Sequence, residues 1–184
     1  MKQEKIIEKT LSYSVNVSNS KVDSLRVNND LQTVVRVFDD GKIGIAGQIG
    51  DSDGSELVKS AQAKLTQGIP YPCNLTEGKE RKENTFHGIF GEGEMVPACK
   101  SLLAKLSNQY PDFIFSNKIN YQKRDYTYTN SKGTEFNYVS DSVVTSLVIK
   151  AAESANIMDL GYDAMQSYFN EDEIVEDIGK LLKA

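Results

Sequence analysis

The chain has few of the residues that build metal and redox sites, with one histidine, two cysteines and no tryptophan among its 184 residues. A zinc site usually needs about three protein ligands or more, so His87 is predicted to be a loop or structural residue rather than a zinc ligand or general base. Neither Cys73 nor Cys99 has a histidine nearby in sequence, which argues against nucleophilic catalysis. Cys99 is instead predicted to fill a core position on a helix.

Long apolar runs and an excess of basic residues are also missing. No segment approaches the ~20 apolar residues of a membrane helix, and residues 1–9 lack the apolar centre of a secretory signal. The net charge is −5, and acid interrupts the densest basic run, Lys79-Glu80-Arg81-Lys82. The sequence therefore predicts no nucleic-acid partner and no membrane partner, and we expect a reducing cytoplasm in which both cysteines stay free thiols.

The apolar pattern contains the same block twice, a run of hairpin-connected strands that ends in an amphipathic helix. One block covers residues 13–67 and the other residues 112–184. The predicted fold class is α+β, with two similar antiparallel sheet-plus-helix blocks in tandem. The predicted domains are residues 1–68, a connector at 69–93, and a helix plus the second block at 94–184; one compact domain is the alternative.

Turn and glycine signals divide the strands. Asn28-Asn29-Asp30, Asp39-Asp40-Gly41 and Asn130-Ser131-Lys132-Gly133 each predict a hairpin turn, because Asn, Asp and Gly tolerate left-handed backbone. Gly44 and Gly47 lie in the strand after the second turn. Glycine inside a strand indicates a bulge or the close approach of another backbone.

Three helices are predicted from capping and periodicity. Asp53 is the predicted cap of the first, with Glu56 completing a capping box, and the second covers residues 95–108. Asn170 caps the last helix, with Glu173 in the box position. These signals place a helix at the end of each block.

Two segments resemble ligand-binding loops, and a structural interpretation is favoured for both. Asp51-Ser52-Asp53-Gly54-Ser55-Glu56 resembles the start of a calcium loop, but its glycine falls fourth rather than sixth and a helix follows at once. Gly41, Gly44 and Gly47 lack the spacing of the dinucleotide fingerprint. A turn followed by a helix cap explains residues 51–56 better, and a hairpin explains the three glycines better.

Four tyrosines of the second block form the candidate binding residues: Tyr121, Tyr126, Tyr128 and Tyr138. Alternating aromatic residues on a sheet can stack bases or contact an extended peptide, and they also commonly pack a sheet against a helix. The net negative charge makes bases the less favoured ligand. These tyrosines are therefore candidate peptide contacts, with packing as the open alternative.

Three segments together resemble a known family. Residues 34–46, Val-Val-Arg-Val-Phe-Asp-Asp-Gly-Lys-Ile-Gly-Ile-Ala, precede a capped helix; Tyr110-Pro111-Asp112 leads into strands; and Asn130-Ser131-Lys132-Gly133 forms a turn. In this order they resemble the first domain of the TldD/PmbA proteins, which are named as proposed modulators of DNA gyrase and regarded as metallopeptidases. The resemblance covers roughly residues 12–184, and only residues 3–10 remain for the family's N-terminal helix.

The resemblance implies that this chain has a non-catalytic role. Family members are more than twice as long, and their catalytic subunit carries a His-Glu-x-x-x-His zinc motif in its C-terminal half. Here His87 is followed by Gly88, so no catalytic, cofactor-binding or metal residue is assigned, and zinc is implied only for a half that has no counterpart here.

Two functions follow from this resemblance. The chain is expected to form substrate-channel wall and subunit contacts for proteolysis of unfolded or modified peptides, in a homo- or hetero-oligomer with a family subunit. The alternative is a shortened paralogue that works as a stand-alone peptide- or protein-binding module with no proteolytic role.

Overall fold

Seven strands and three α-helices make up the part of the chain that the computed structural model describes, residues 1–50, 52 and 54–183. The strands are β1 (Lys2–Ser18), β2 (Lys21–Asp39), β3 (Lys42–Ile49), β4 (Glu80–Thr85), β5 (Phe113–Asn130), β6 (Glu135–Ala151) and β7 (Leu160–Gln166). The helices are α1 (Ser55–Lys64), α2 (Met95–Gln109) and α3 (Glu171–Leu181), and a short 3-10 helix, Leu65–Gln67, follows α1. None of these helices has the length and apolar character needed to cross a bilayer.

The strands are hydrogen-bonded in the order β3-β2-β1-β5-β6-β4, and β7 also pairs with β6. β2 pairs with β3 and β6 with β7 in antiparallel fashion, whereas β4 runs parallel to β6. The predicted α+β class is therefore confirmed. Each predicted block of strands followed by a helix is present, as β1 to β3 with α1 and as β5 to β7 with α3.

The chain divides into two compact units that cut across these blocks. Unit 1 contains Met1–Leu11, Asn29–Phe86 and Arg124–Ser140, and unit 2 contains Ser12–Asn28, His87–Lys123 and Asp141–Ala184. The strands β1, β2, β5 and β6 each contribute residues to both units. The sequential division at residues 68 and 93 stays a prediction.

Unit 2 contains the larger apolar core. The inner faces of α2 and α3 pack with alternate residues of its strands, as expected for helices covering one face of a sheet. Each fully buried leucine or isoleucine contributes about 2 kcal/mol by leaving water. The fully or almost fully buried members include Cys99, Leu102, Leu103, Leu106, Phe115, Ile119, Tyr121, Val143, Leu147, Ile149, Ile174 and Ile178. Cys99 is thus a core residue, as predicted, and burial raises the pKa of its thiol to about 12.

Unit 1 contains a smaller core, where α1 packs on β2 and β3. Its buried members are Val35, Val37, Ala46, Leu57 and Ala61. Gly44 makes this packing fit, because a Cβ at that position would overlap the carbonyl oxygen of Ala61. The β2–β3 register is continuous from Gln32 opposite Ile49 to Asp39 opposite Lys42, so the glycine serves a close backbone approach rather than a bulge.

One predicted turn is wrong. Asn28, Asn29 and Asp30 lie inside β2, and the chain reverses instead at Asn19 and Ser20, which have φ values of 49° and 59°. Asn29 and Asp30 are exposed in the strand, so their polar side chains lose no hydration there. The predicted turns at Asp40-Gly41 and at residues 130–133 are confirmed, with φ values of 68° at Gly41 and 76° at Gly133.

The strands are longer than the sequence predicts. Residues 3–10, assigned to the remnant of an N-terminal helix, belong to β1, and the predicted short strands between residues 113 and 128 are one continuous strand, β5. The connector at 69–93 contains β4, whose residues are polar and all exposed and so carry no apolar alternation. Periodicity cannot detect a strand of this kind.

One of the two predicted helix caps, Asn170, is confirmed. Asn170 caps α3 through its side-chain oxygen, which accepts from the N–H groups of Asp172 and Glu173 at 3.1 and 3.3 Å. The predicted span of α2 is confirmed to within a residue. Asp53, the predicted cap of α1, and Asp51 of the calcium-like loop lie outside the described residues. The helix α1 begins at Ser55, directly after this loop.

Candidate functional site

Unit 1 has one sheet face that carries charged and aromatic side chains. Val35 and Val37 point toward α1, so Arg36 between them lies on the opposite face, since side chains alternate along a strand. Glu4 of β1 lies on that same face, with its carboxylate 3.6 Å from the Arg36 guanidinium. Arg36 and Glu4 therefore lie together on the side of the sheet away from α1.

A groove of about 440 Å³ lies in unit 1 on strands β4, β5 and β6. The register of the parallel pair places Arg81 beside Phe136 and Glu83 beside Tyr138. Alternation along each strand brings these side chains to the same side. The groove is lined by Arg81, Glu83, Arg124, Tyr126, Phe136, Asn137 and Tyr138.

Two arginines give the groove its charge. The Nε of Arg124 lies 2.6 Å from a Glu8 carboxylate oxygen, and its guanidinium lies over the Tyr126 ring, 5.7 Å from the centroid. The hydrogen bond to Glu8 is the main reason that the pKa of Arg124 is raised. Arg81 pairs with Glu83 at 2.8 Å. Both guanidiniums are thus held in place by a carboxylate while remaining substantially exposed, at 46% and 70% of their side-chain surface.

Two of the four predicted tyrosines line this groove, Tyr126 and Tyr138. Tyr138 makes hydrogen bonds with Ser140 and Thr85, which lower the pKa of its hydroxyl. Both side chains are only partly buried, so a ligand in the groove can reach them. Their role as peptide contacts stays a prediction.

Tyr128 lies on the same sheet face as the groove and packs against Phe136 in its wall. Its ring stacks on Phe136 with centroids 5.6 Å apart, and its hydroxyl donates a hydrogen bond of 2.7 Å to Glu4. Burial, together with the Glu4 carboxylate, raises the pKa of Tyr128 to about 12. The hydroxyl also accepts from the Asn130 amide at 3.1 Å. Tyr128 therefore fixes the position of Phe136 in the groove wall.

Tyr121 lies apart from the other three, in the core of unit 2. It is 2% exposed, its ring stacks on Tyr13 at 5.7 Å, and Phe90 meets its edge. Burial, with the nearby Asp141 carboxylate, raises the pKa of Tyr121 to about 12. For this residue the structure supports the packing alternative.

Asp141 and His87 form a separate polar cluster in unit 2. The Asp141 carboxylate is fully buried and accepts hydrogen bonds from the main-chain N–H groups of His87 at 2.8 Å and Ile89 at 3.0 Å. Burial acts to raise the pKa of Asp141, but hydrogen bonds from the N–H groups of His87, Ile89 and Gly88 outweigh it and the pKa is lowered. Asp141 of β6 therefore holds the segment that follows β4, residues 87–89, in place through these hydrogen bonds.

The zinc that the resemblance implies finds no fitting donor set here. His87 Nδ1 lies 3.6 Å from Asp141, whose oxygens already accept main-chain hydrogen bonds. Across residues 1–50, 52 and 54–183, no group of three or more His, Cys, Asp and Glu side chains could hold a metal ion. We therefore assign no step to zinc in this chain.

The sequence prediction missed most of the groove. Arg81 falls in the predicted connector at residues 69–93, and Phe136, Arg124 and Glu83 are not among the candidate binding residues. One signal was available: Arg124, Tyr126 and Tyr128 occupy alternate positions of one strand, which places them on one face. The position of β4 beside β6 had no sequence signal, because its residues are polar and exposed.

Part of the sequence and the fold of the chain match known proteins. Residues 6–65 match the family profile described as PmbA/TldA metallopeptidase domain 1. The fold is similar to TldE from Thermococcus kodakarensis, with a TM-score of 0.79, 13% identity, and coverage of 96% of this chain and 42% of that protein. A proposed modulator of DNA gyrase from Thermotoga maritima gives a TM-score of 0.75, 16% identity, and coverage of 95% and 42%.

A proposed modulator of DNA gyrase from Bacteroides thetaiotaomicron is also similar, with a TM-score of 0.65, 10% identity, and coverage of 97% and 45%. The chain thus spans less than half the length of each of these three structures. No curated protein sequence matches it. The predicted resemblance is confirmed: residues 6–65 match the profile of the family's first domain, and the fold of the chain is similar to that of the TldE and gyrase-modulator structures.

Proposed function

We propose that this chain acts as the N-terminal, non-catalytic region of a TldD/PmbA-like metallopeptidase component. It contributes substrate-channel wall and subunit contacts for proteolysis of unfolded or modified peptides. The observation that carries the proposal is the match in fold over 95–97% of this chain to 42–45% of each solved structure. The zinc and its ligands belong, in this proposal, to the C-terminal half of a catalytic family member.

The partners follow from the same proposal. They are a peptide or unfolded-protein substrate and a family subunit, in a homo- or hetero-oligomer, with no nucleic acid and no membrane. The compartment is the cytoplasm, in which Cys73 and Cys99 remain reduced. The net charge of −5 supports the exclusion of a phosphate-backbone partner.

Sedimentation and a peptidase assay test this role together. The purified chain with added zinc is expected to leave an unfolded protein substrate intact, and to co-sediment with a purified full-length family subunit. Cleavage by the chain alone that disappears in the His87→Ala variant would overturn the non-catalytic role. A mixture that sediments as two separate species would overturn the subunit contact.

A stand-alone peptide-binding module is the second candidate, favoured by one feature of unit 1. The strand β4 ends the hydrogen-bonding order of the sheet, contains no proline, and borders the groove with Arg81 and Glu83. An extended peptide can add to such a terminal strand through main-chain hydrogen bonds. Calorimetry that detects no binding of any extended peptide would exclude this candidate.

A further inference from the structure

We propose that the free edge of β2 in unit 2 binds an extended peptide in which an acidic residue stands between two apolar ones. The inference rests on the peptide-handling part of the proposed function and names the class of peptide and its site. The site is the part of β2 that belongs to unit 2, residues 21–28, which we call the β2 edge. It shares no residue with the groove of unit 1.

The β2 edge has main-chain groups that no neighbouring strand covers. In the sheet β2 lies between β1 and β3, but β3 pairs with β2 only from Gln32 to Asp39. Within the described part of the chain, the β2 edge therefore has β1 on one side and no strand on the other. Residues 23–27 are all exposed, and no proline interrupts the segment. The open N–H and C=O groups of such an edge can pair with an extended segment, which adds as a further strand.

A mostly apolar cleft of about 240 Å³ borders the β2 edge, and the first residues of α2 form part of it. Leu25 and Val27 line the cleft and are 46% and 52% exposed, although both are apolar. A Cβ on Gly93 would meet no atom within 4 Å, so the cleft is open at that point. The full lining is Tyr13, Leu25, Val27, Gly91, Glu92, Gly93, Met95 and Val96. The side chains of an added strand that face this cleft are therefore expected to be apolar.

Arg26 determines the charge of the residue on the other face. It lies between Leu25 and Val27, so its side chain points away from the cleft. Its Nε donates a hydrogen bond of 3.3 Å to the Asn28 side chain, and Arg26 forms no ion pair among the described residues. Ser24 and Asn28, its neighbours on that face of β2, are uncharged. An acid opposite Arg26 on the added strand therefore meets a guanidinium that no other carboxylate holds.

Charge also favours a peptide over a second copy of this chain. If two β2 edges paired antiparallel with Leu25 opposite Val27, the two Arg26 side chains would face each other, and like charges in that position destabilise the pairing. The neighbouring registers that keep the same faces together instead place Asp23 opposite Val27 or Asn29 opposite Leu25. A segment with apolar, acidic and apolar residues in succession avoids both problems.

The experiment measures the affinity of the full chain for three labelled extended peptides by fluorescence anisotropy. The peptides are identical except at the centre, which is Val-Glu-Val, Val-Gln-Val or Ser-Glu-Ser. Val-Glu-Val is expected to bind about threefold more tightly than Val-Gln-Val, as for an exposed pair of opposite charges on neighbouring strands. It should bind at least about tenfold more tightly than Ser-Glu-Ser, because its two apolar side chains leave water in the cleft.

Two pairs of variants locate the binding. Arg26→Gln is expected to equalise the affinities for Val-Glu-Val and Val-Gln-Val, whereas Lys21→Gln removes the same charge from the same strand and should leave the preference intact. Val27→Thr is expected to weaken both peptides about threefold without changing their ratio. Ile45→Thr is its control, since Ile45 is 44% exposed on the terminal strand β3 and lies outside the cleft. Circular dichroism of each variant checks that it is folded.

Equal affinity for Val-Glu-Val and Val-Gln-Val would overturn the inference, as would a preference lost equally in Lys21→Gln and Arg26→Gln. Equal weakening in Ile45→Thr and Val27→Thr would place the peptide elsewhere. If no peptide bound and the chain sedimented as a dimer that Val27→Thr dissociates, a second copy would be the occupant. If no peptide bound to a monomer, the β2 edge would be rejected as a binding site, whereas the framework role would still be decided by co-sedimentation with the family subunit.

Discussion

Among the residues that the structure describes, each unit buries one carboxylate, and the two are held in different ways. Asp141 in unit 2 is 5% exposed and accepts two short hydrogen bonds, of 2.8 and 3.0 Å, from main-chain N–H groups, together with a longer one of 3.5 Å from the Tyr121 hydroxyl. Glu4 in unit 1 is 8% exposed, accepts from the Tyr128 hydroxyl, and lies 3.6 Å from Arg36, a looser ion pair. Its second carboxylate oxygen and the Nε of Arg36 are buried without a hydrogen-bond partner.

The two carboxylates differ in how far their partners can move. Main-chain donors are fixed once the fold forms, so Asp141 can do little besides hold the segment after β4 in place. The partners of Glu4 are side chains, which can change rotamer when something binds. We therefore expect unit 2, with the larger core, to be the more rigid of the two units.

The largest expected effect is on the packing of unit 1. Gly44→Ala places a Cβ where it overlaps the Ala61 carbonyl oxygen, and a backbone obstacle cannot rotate away. We expect a loss of about 3 kcal/mol in the free energy of unfolding, measured by urea denaturation. Gly47→Ala is the control, since a Cβ there meets its nearest atoms at 3.5 Å, an ordinary contact. Equal losses in the two variants would show that strand propensity, not the approach of α1, sets the requirement for glycine.

The second prediction contrasts the two carboxylates directly. Asp141→Asn keeps one acceptor oxygen but turns an amide N–H toward the main-chain donors, leaving one of them unsatisfied in the core. We expect a loss of about 2 kcal/mol. Glu4→Gln retains an acceptor for Tyr128 and gives up a long ion pair of 3.6 Å whose Arg36 side chain is 38% exposed, for a loss below about 1 kcal/mol. A larger loss from Glu4→Gln, measured in the same denaturation series, would reverse the assignment of the rigid unit.

The pH dependence of the free energy of unfolding gives an independent measurement of how much Asp141 stabilises the folded protein. Because the pKa of Asp141 is lower in the folded protein, the unfolded state binds a proton more readily at acidic pH. The stabilisation from Asp141 is fully present above its ordinary pKa of 3.8, which applies to the unfolded state. It is lost as the pH falls through the lower pKa of the folded state. The difference in unfolding free energy between wild type and Asp141→Asn should thus narrow below about pH 4. A difference that stays constant down to pH 2 would contradict this linkage.

A small effect is expected at a glycine of unit 2, Gly179 of α3. A Cβ at Gly179 would overlap the Tyr110 hydroxyl, which donates a hydrogen bond of 3.1 Å to the Val175 carbonyl. Here the obstacle is the end of a side chain that can swing aside, so Gly179→Ala should cost about 1 kcal/mol. Tyr110→Phe removes the overlapping oxygen, and the double variant should then lose less than the sum of the single ones. Strict additivity would mean that the two residues do not interfere.

The sequence predicts the parts of this fold that local chemistry decides. Asn170 identifies the start of α3 because its side chain caps the helix in any context, and Asp40-Gly41 identifies a turn because few residues adopt left-handed backbone. The strand β4 was not predictable, since its six exposed residues take their conformation from the pairing with β6. The groove depends on that pairing, so Tyr126 and Tyr138 could be proposed from sequence but their arginine neighbour on β4 could not.

The four strands shared by both units have a consequence for how the protein forms during synthesis. Unit 1 is incomplete until Ser140 has been made, and unit 2 requires α3 near the end of the chain. A domain that occupies a continuous stretch can fold as soon as it leaves the ribosome. Here neither unit has that option, because each combines segments that are far apart in the sequence, and we expect each to form only after its last segment has been made: the segment ending at Ser140 for unit 1 and α3 for unit 2.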